Sequence, residues 1–240
     1  MDIIVEDWGV IDYLEGYERQ RKLVDEVIAG AAGRLIFCEH PPVLTLGRMT
    51  KEDSLLYTRE AIEELGIQVH TIDRGGDVTL HAPGQMVVYV ILDLDRYGRH
   101  LKVYLEKLEQ VAVDLLKDFG ILAISIPGKR GVFVGPEKIA SIGVGVRKWV
   151  TYHGIGINVN TDLTLFRLIR PCGLDVRMTS IQKILNNRPI TDNPNHTAQI
   201  HHPKKSWNKN NYKKIVVENV KKIKIKIHHQ DQDRYHALEG

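Results

Sequence analysis

The chain has 240 residues, 43% hydrophobic and 26% charged, an ordinary globular composition with length for one large domain or two small ones around a real core. No apolar run approaches the roughly 20 residues that cross a bilayer, Met1 to Trp8 is acidic and lacks the basic and apolar regions of a signal peptide, and the two distant cysteines, Cys38 and Cys172, make no disulfide framework, so a cytoplasmic protein with reduced thiols is expected. The net charge of +3 hides a split: residues 187–240 carry 11 Lys and Arg against 5 Asp and Glu, leaving 22 against 25 in residues 1–186, so the basic pI belongs to the tail and says little about what the body binds.

In chain order, Asp12 to Ile28 carries a helical stripe of Leu14, Tyr17, Val24, Val27 and Ile28. Arg34 to Cys38 reads as a strand, and Pro41-Pro42 interrupts the chain before a second at Val43 to Leu46. Thr58 to Leu65 reads as a helix stopped by Gly66. Ile67 to Asp73 and Met86 to Leu92 read as strands, the latter nearly all apolar and so expected at the centre of a sheet. Leu101 to Phe119 is the longest expected helix, with Tyr104, Leu105, Leu108, Val111, Leu115 and Phe119 on one side. Gly131 to Val134, Ile139 to Val146 and Trp149 to Asn160 follow as strands, then Thr161 to Ile169 as a short helix. Together these indicate an α+β fold, helices packed on a mixed or largely antiparallel sheet. The expected organisation is a body of residues 1–186 and a basic polar tail of residues 187–240. Within that tail Asn187 to Asn211 reads as loop or disorder, and the Lys-Ile alternation of Lys222 to Ile227 as an edge strand.

Three segments carry candidate chemistry. Arg74-Gly75-Gly76-Asp77-Val78-Thr79-Leu80-His81, followed by Ala82-Pro83-Gly84-Gln85, lies directly ahead of the apolar strand. Its glycines allow backbone N–H groups close to a ligand and Arg74 suits an anion or a carbonyl; a hairpin with a glycine turn fits the same residues. Lys138-Ile139-Ala140-Ser141-Ile142-Gly143 brings a lysine into an apolar strand, where it is either solvated or held for chemistry. Gly143 and Gly145 lack the third glycine and the helix of a dinucleotide fingerprint. Cys172 stands between Pro171 and Gly173 after the expected short helix, a turn that presents a side chain to a cleft. As a nucleophile it needs a nearby cation, for which Lys138, Arg147, Lys148, His81 and His153 are all available by sequence. His81 and His153 each suit a proton shuttle or a satisfied structural role. His201-His202 and His228-His229 do not combine with the cysteines at zinc-site spacing, and no metal site is read.

Read together, the segments resemble the lipoyl(octanoyl) transferases, the octanoyl-acyl carrier protein:protein transferase family. Cys38-Glu39-His40-Pro41-Pro42-Val43-Leu44-Thr45-Leu46-Gly47 is similar to the family's EHPPVxTLG segment, and Arg74 to Gln85 with Tyr89 to its RGGxxTxHxPGQxxxY signature. Gly131 to Gly143 resembles its GV(W/F)V…KIAxIG run, Trp149 to Gly154 continues into Asn158 to Leu163, and Pro171-Cys172-Gly173 ahead of Thr179-Ser180 resembles the thiol-bearing segment. The resemblance implies the fold of the biotin and lipoate protein ligases, with a tunnel for an acyl chain. It implies that the Cys172 thiolate attacks the octanoyl thioester of acyl carrier protein, and that the acyl-enzyme is then attacked by a lysine of an apo lipoyl domain, from 2-oxoacid dehydrogenase complexes or the glycine cleavage H protein. Lys138 takes the family's lysine position, lowering the thiol pKa and relaying protons. Arg74 to His81, Ser141, Ile142 and Gly143, and Gly154, Ile155 and Gly156 become the substrate-binding stretches. No cofactor is implied, because the thioester is already activated; neither a membrane nor nucleic acid is expected.

Two departures from the family pattern stand out. Leu80 replaces a usual aromatic residue, which places an aliphatic wall in the expected acyl pocket, and the tail after Asn187 does not resemble the family's C-terminal helix. The rival readings are an ATP-dependent lipoate or biotin ligase of the same fold, an amidotransferase moving octanoyl between proteins, and a non-catalytic relative whose basic tail contacts nucleic acid.

Overall fold

The structure, a computed structural model, describes residues 3–170 and 176–186, together with residues 213, 214, 216–218 and 220. In chain order the elements are β1 (Ile4–Val10), α1 (Tyr13–Ile28), β2 (Arg34–Glu39), β3 (Val43–Leu46), α2 (Arg59–Glu64), β4 (Gln68–Thr71), β5 (Thr79–His81), β6 (Gln85–Ile91), α3 (Leu101–Asp118), β7 (Ile124–Ile126), β8 (Lys129–Val134), β9 (Glu137–Arg147), β10 (Val150–Asn158) and α4 (Ile181–Asn186). Short 3-10 turns lie at Glu52–Ser54, Leu94–Tyr97 and Leu163–Leu168. A seven-stranded sheet has the order β1-β2-β6-β10-β9-β8-β7, and a three-stranded sheet the order β4-β3-β5. Each sheet contains one parallel pair, β1 with β2 and β3 with β4, and is otherwise antiparallel. The fold is the expected mixed α+β arrangement.

The apolar run of β6 is buried along its whole length because helices cover both of its faces. Side chains of a strand alternate, so Met86, Val88 and Val90 join Tyr104, Leu108, Val111 and Leu115 of α3 in the main core. Val87, Tyr89 and Ile91 face the other way, with Val24 and Val27 of α1. Helix α1 starts at Asp12, whose carboxylate accepts from the N–H groups of Leu14 at 2.9 Å and Glu15 at 3.2 Å, a cap worth about 1 kcal/mol. A third cluster, including Leu44, Ile62, Val69 and Leu80, fills the space under the small sheet.

The sequence reading assigned no element to β5, β7 or α4, and three further segments differ from it. β1 carries no clean alternation and is exposed along most of its length; it is recruited by parallel pairing to β2 and by Arg34, which meets Glu6 at 3.3 Å and Glu26 at 3.2 Å. The expected helix over Thr161 to Ile169 is a 3-10 turn, opened by Asp162 accepting from the Thr164 N–H at 2.9 Å. Among residues 213–220 the described ones are helical; Val216 and Val220 are buried in the main core, and Lys213 pairs with Asp7. Asn187 to Asn211 and Lys222 to Ile227 lie outside the described residues.

Candidate active site

The glycine-bearing segment Arg74 to His81 runs from the end of β4 through β5, both in the small sheet, and faces β9 and β10 of the large one. Between them lies a cavity of about 310 Å³. It is lined by Arg74 to Thr79 and His81, by Lys138, Ser141, Ile142 and Gly143 of β9, and by Gly154, Ile155 and Gly156 of β10. Of the residues expected from the sequence to bind substrate, Leu80 alone does not line it. Because β5 alternates like any strand, Thr79 and His81 reach the cavity while Leu80 is fully buried among Leu44, Ile62 and Val69. Leu80 is therefore part of the small sheet's core, correcting its expected place in the pocket wall.

Arg74 acts as a structural clamp. It is 6% exposed, and its guanidinium donates to the Thr45 carbonyl at 2.7 Å, the Thr45 hydroxyl at 3.0 Å and the Gly75 carbonyl at 3.1 Å. Main-chain bonds hold the same loop on both sides: Met49 N–H donates to the Gly76 carbonyl at 3.0 Å, and Gly75 N–H to the Val144 carbonyl at 2.8 Å. Asp77, also buried, accepts from the Ser54 hydroxyl and the Val78 N–H, both at 2.6 Å. The loop is thus rigid on the small-sheet side and presents its glycines to the cavity.

Lys138 is only 5% exposed. Its main chain is fixed at both atoms, the N–H donating to the Arg177 carbonyl at 2.8 Å and the carbonyl accepting from the Thr179 N–H at 2.9 Å, so that Met178 forms a parallel bridge with it. Gly131 of β8 lies against the lysine stem: its φ is +125°, and a Cβ there would collide with Lys138 Cε and stand 2.6 Å from the Ala140 carbonyl. Pro171-Cys172-Gly173 lies outside the described residues. The chain that carries Cys172 runs on to the strand segment bound to Lys138, Met178 being six residues further along. The other thiol, Cys38, is buried in the core on the α1 side, where burial pushes its pKa well up, and it suits packing rather than attack.

The remaining wall is aromatic and imidazole-rich, with Tyr13, Tyr89, His81 and His153 facing the cavity. His40 bridges the Tyr89 hydroxyl at 2.6 Å and the Ile11 carbonyl at 2.8 Å. Tyr13 stacks on His81 and Tyr17 on His153. Burial lowers the pKa of all three histidines, and that of His81, with a further contribution from His40, falls to about 3. His153 has a positive φ of 59° within a strand, a strained backbone for a residue other than glycine, and stands 3.7 Å from Asp73. Asp73 is held well below the usual carboxylate range, by His153 first and then by the Tyr17 and Tyr152 hydroxyls at 2.6 and 2.7 Å. Sequence reading did not select Tyr13 or the α3 residues Leu101 and Leu105, which line the cavity; no local pattern marks them, because they come from distant elements. Asp73, next to Arg74, was also passed over, since its partners Tyr17, Tyr152 and His153 meet it only in the fold. Among the described residues no group of three His, Cys, Asp or Glu is placed to hold a metal ion, and no helix is long and apolar enough to cross a membrane.

The lipoyl protein ligase A/B catalytic domain family matches residues 12–199. A protein of Geotalea uraniireducens named octanoyltransferase is 47% identical over 175 residues, covering 72% of this chain and 78% of its own. One of Bacteroides fragilis with the same name is 39% identical over 199 residues, covering 78% and 90%. Among solved structures, a lipoate-protein ligase A bound with ATP superposes with a TM-score of 0.64 at 15% identity, covering 92% of this chain and 84% of that one. The biotin protein ligase of Aquifex aeolicus gives 0.50 at 13% identity, covering 95% and 71%. At such identities these two structures establish a shared fold.

Proposed function

The chain belongs to the lipoyl protein ligase A/B catalytic domain family and, within it, to the octanoyltransferases, and from this premise we propose how it moves an octanoyl group in lipoate biosynthesis. The Cys172 thiolate attacks the thioester of octanoyl-acyl carrier protein; the new acyl-enzyme passes the octanoyl group to a lysine of an apo lipoyl domain. The observation that carries the reading is the single cavity that unites Lys138, the small residues of β9 and β10 and the Arg74 loop, with the Cys172-bearing chain returning to pair with Lys138.

Each part has a physical task. Gly143, Gly154 and Gly156 leave a smooth apolar lane beside Ile142 and Ile155, and each buried methylene of an alkyl chain contributes about 0.8 kcal/mol. The Lys138 ammonium favours the thiolate over the thiol, donates a proton to the departing carrier thiolate, and as an amine accepts one from the attacking lysine. Backbone N–H groups of the Arg74 loop and of β9 are the donors available to a thioester oxyanion. Beyond the cavity, Arg167, Arg170 and Arg177 line an open groove on the Met178 side, a cationic approach for an anionic carrier protein. We place the protein in the cytoplasm, where a thiol stays reduced.

Incubation with octanoyl-acyl carrier protein followed by intact-protein mass spectrometry tests this reading. One hydroxylamine-sensitive octanoyl adduct is expected, absent in Cys172→Ser. An adduct that persists in that variant rejects Cys172 as the acceptor, and octanoylation that requires ATP and free octanoate replaces the transferase reading with a ligase.

A further inference from the structure

A ladder of buried amides runs from His81 across the sheet to Lys138. The Gln85 Nε2 donates to the Leu80 carbonyl at 3.1 Å and to Asn158 Oδ1 at 3.0 Å. Asn158 Nδ2 donates to the Thr179 carbonyl at 3.0 Å, and the Thr179 N–H donates to the Lys138 carbonyl at 2.9 Å. Gln85, Asn158 and Thr179 are all at most 2% exposed, and Gly156 leaves room for the ladder, since a Cβ there would stand 3.0 Å from Gln85 Oε1.

Both ends of the ladder fix its polarity. A main-chain carbonyl only accepts, so each amide turns its NH2 toward one, and Gln85 is left with its oxygen toward His81. That oxygen lies 2.6 Å from His81 Nδ1, which therefore carries the hydrogen. Burial and the neighbouring His40 keep the ring neutral. A neutral imidazole protonated at Nδ1 has a bare lone pair on Nε2; His81 lines the cavity, and among the described residues none hydrogen-bonds to that nitrogen.

The chemistry of the cavity identifies what this lone pair is for. A thioester oxyanion needs donors, an alkyl chain needs neither donor nor acceptor, and a thiolate is repelled by a lone pair. The attacking amine is the group that gains from an acceptor, because its N–H must be aimed before its own lone pair can face the carbonyl carbon. We propose that Gln85 and Asn158 are positioning residues that hold His81 as the Nδ1–H tautomer, so that His81 Nε2 accepts a hydrogen bond from the attacking lysine amine of the acceptor protein. This rests on the acyl-enzyme reading above. In the step, the amine nitrogen attacks the thioester carbonyl, the C–N bond forms, the C–S bond breaks and sulfur leaves as the thiolate. The surplus proton on nitrogen passes to the Lys138 amine, which gave one up in the first half-reaction. His81 keeps its single proton throughout and orients rather than stores. One ladder thus sets both the acceptor at His81 and the strand segment that holds Lys138.

Two measurements test it on the full chain. Nitrogen-resolved NMR of the histidine rings, with His81 assigned through His81→Gln, is expected to show a protonated Nδ1 and a bare Nε2 from about pH 8 to about pH 5.5. A protonated Nε2, or an imidazolium in that range, overturns the proposal whether or not the Gln85 and Asn158 variants fold. In single-turnover experiments, the ratio of transfer to apo lipoyl domain over acylation by octanoyl-acyl carrier protein is expected to fall about 10- to 100-fold in Gln85→Leu and Asn158→Ala. His81→Gln, which retains an acceptor, recovers part of the loss seen in His81→Ala. An unchanged ratio in folded variants overturns the proposal while leaving the acyl-enzyme intact; failure of the acyl-enzyme reading shows differently, as no octanoyl adduct on the wild-type chain.

Discussion

On the Lys138 side of the cavity the wall is strand backbone and small residues, and a buried cationic side chain is held by main-chain bonds at its own N–H and carbonyl. On the His81 side the wall is rings, tied together by side-chain hydrogen bonds, and burial pushes all three histidines toward the neutral form. Both walls are built largely of buried side chains, yet they differ in how they would handle charge. In the mechanism proposed above, charge that develops during acyl transfer is compensated by Lys138, whereas the imidazoles of the opposite wall orient groups in the neutral form. A site built this way can hold a charged nucleophile and an apolar chain in one cavity without leaving either beside an unpaired charge.

Removing the cation breaks the contrast most completely. In Lys138→Ala, octanoyl transfer is expected to fall about 10²- to 10⁴-fold, and the pH midpoint of Cys172 alkylation to rise; an unmoved alkylation profile would remove Lys138 from thiolate stabilisation. Gly131→Ala sharpens the same point without touching the charge. Its Cβ would displace the Lys138 stem, and a displacement near 1 Å costs about 10²-fold, so steady-state transfer rates should drop toward those of Lys138→Ala while circular dichroism stays folded. Wild-type rates in that variant would show that the lysine's position is not critical.

The smallest effect probes the ring side through stability. His40, His81 and His153 have folded pKa values below the unfolded value of about 6.5. Below about pH 6.5 the unfolded chain therefore binds more protons than the folded one, and stability falls as pH falls. Asp73, whose folded pKa is also depressed, contributes stability that is present above its unfolded value and lost as pH drops through the acid range, a change of the same sign at lower pH. Thermal unfolding should show a level Tm above about pH 7 and a decline below about pH 6.5, shallower in His153→Asn, since asparagine tolerates the positive φ. A Tm that is level down to about pH 5 would mean that these rings are hydrated.

Much of this was legible in the chain. The apolar run of β6 announced a strand covered on both faces and the stripe of α3 its packing side, and the family resemblance pointed to Arg74 to His81, Ser141 to Gly143 and Gly154 to Gly156, which, Leu80 excepted, line one cavity. β1 was not legible, because its residues are polar and its strand state comes from pairing with β2. The inward turn of Leu80 was missed for a related reason: a motif gives spacing along the chain, but which face of β5 meets the cavity depends on where β3 lies.

The sequence by itself determined which residue types are present at which intervals; through hydrophobic period it determined the α+β class, and through the resemblance of its segments to the family's it pointed to the stretches that form the cavity. The tertiary structure alone decided that Gln85 faces Asn158, that Asn158 reaches Thr179, and that Met178 pairs with Lys138. Such contacts join residues far apart in the chain, and the tautomer of a histidine or the setting of a lysine follows from which carbonyl stands opposite which amide. That opposition is a property of strand register, which local sequence does not encode.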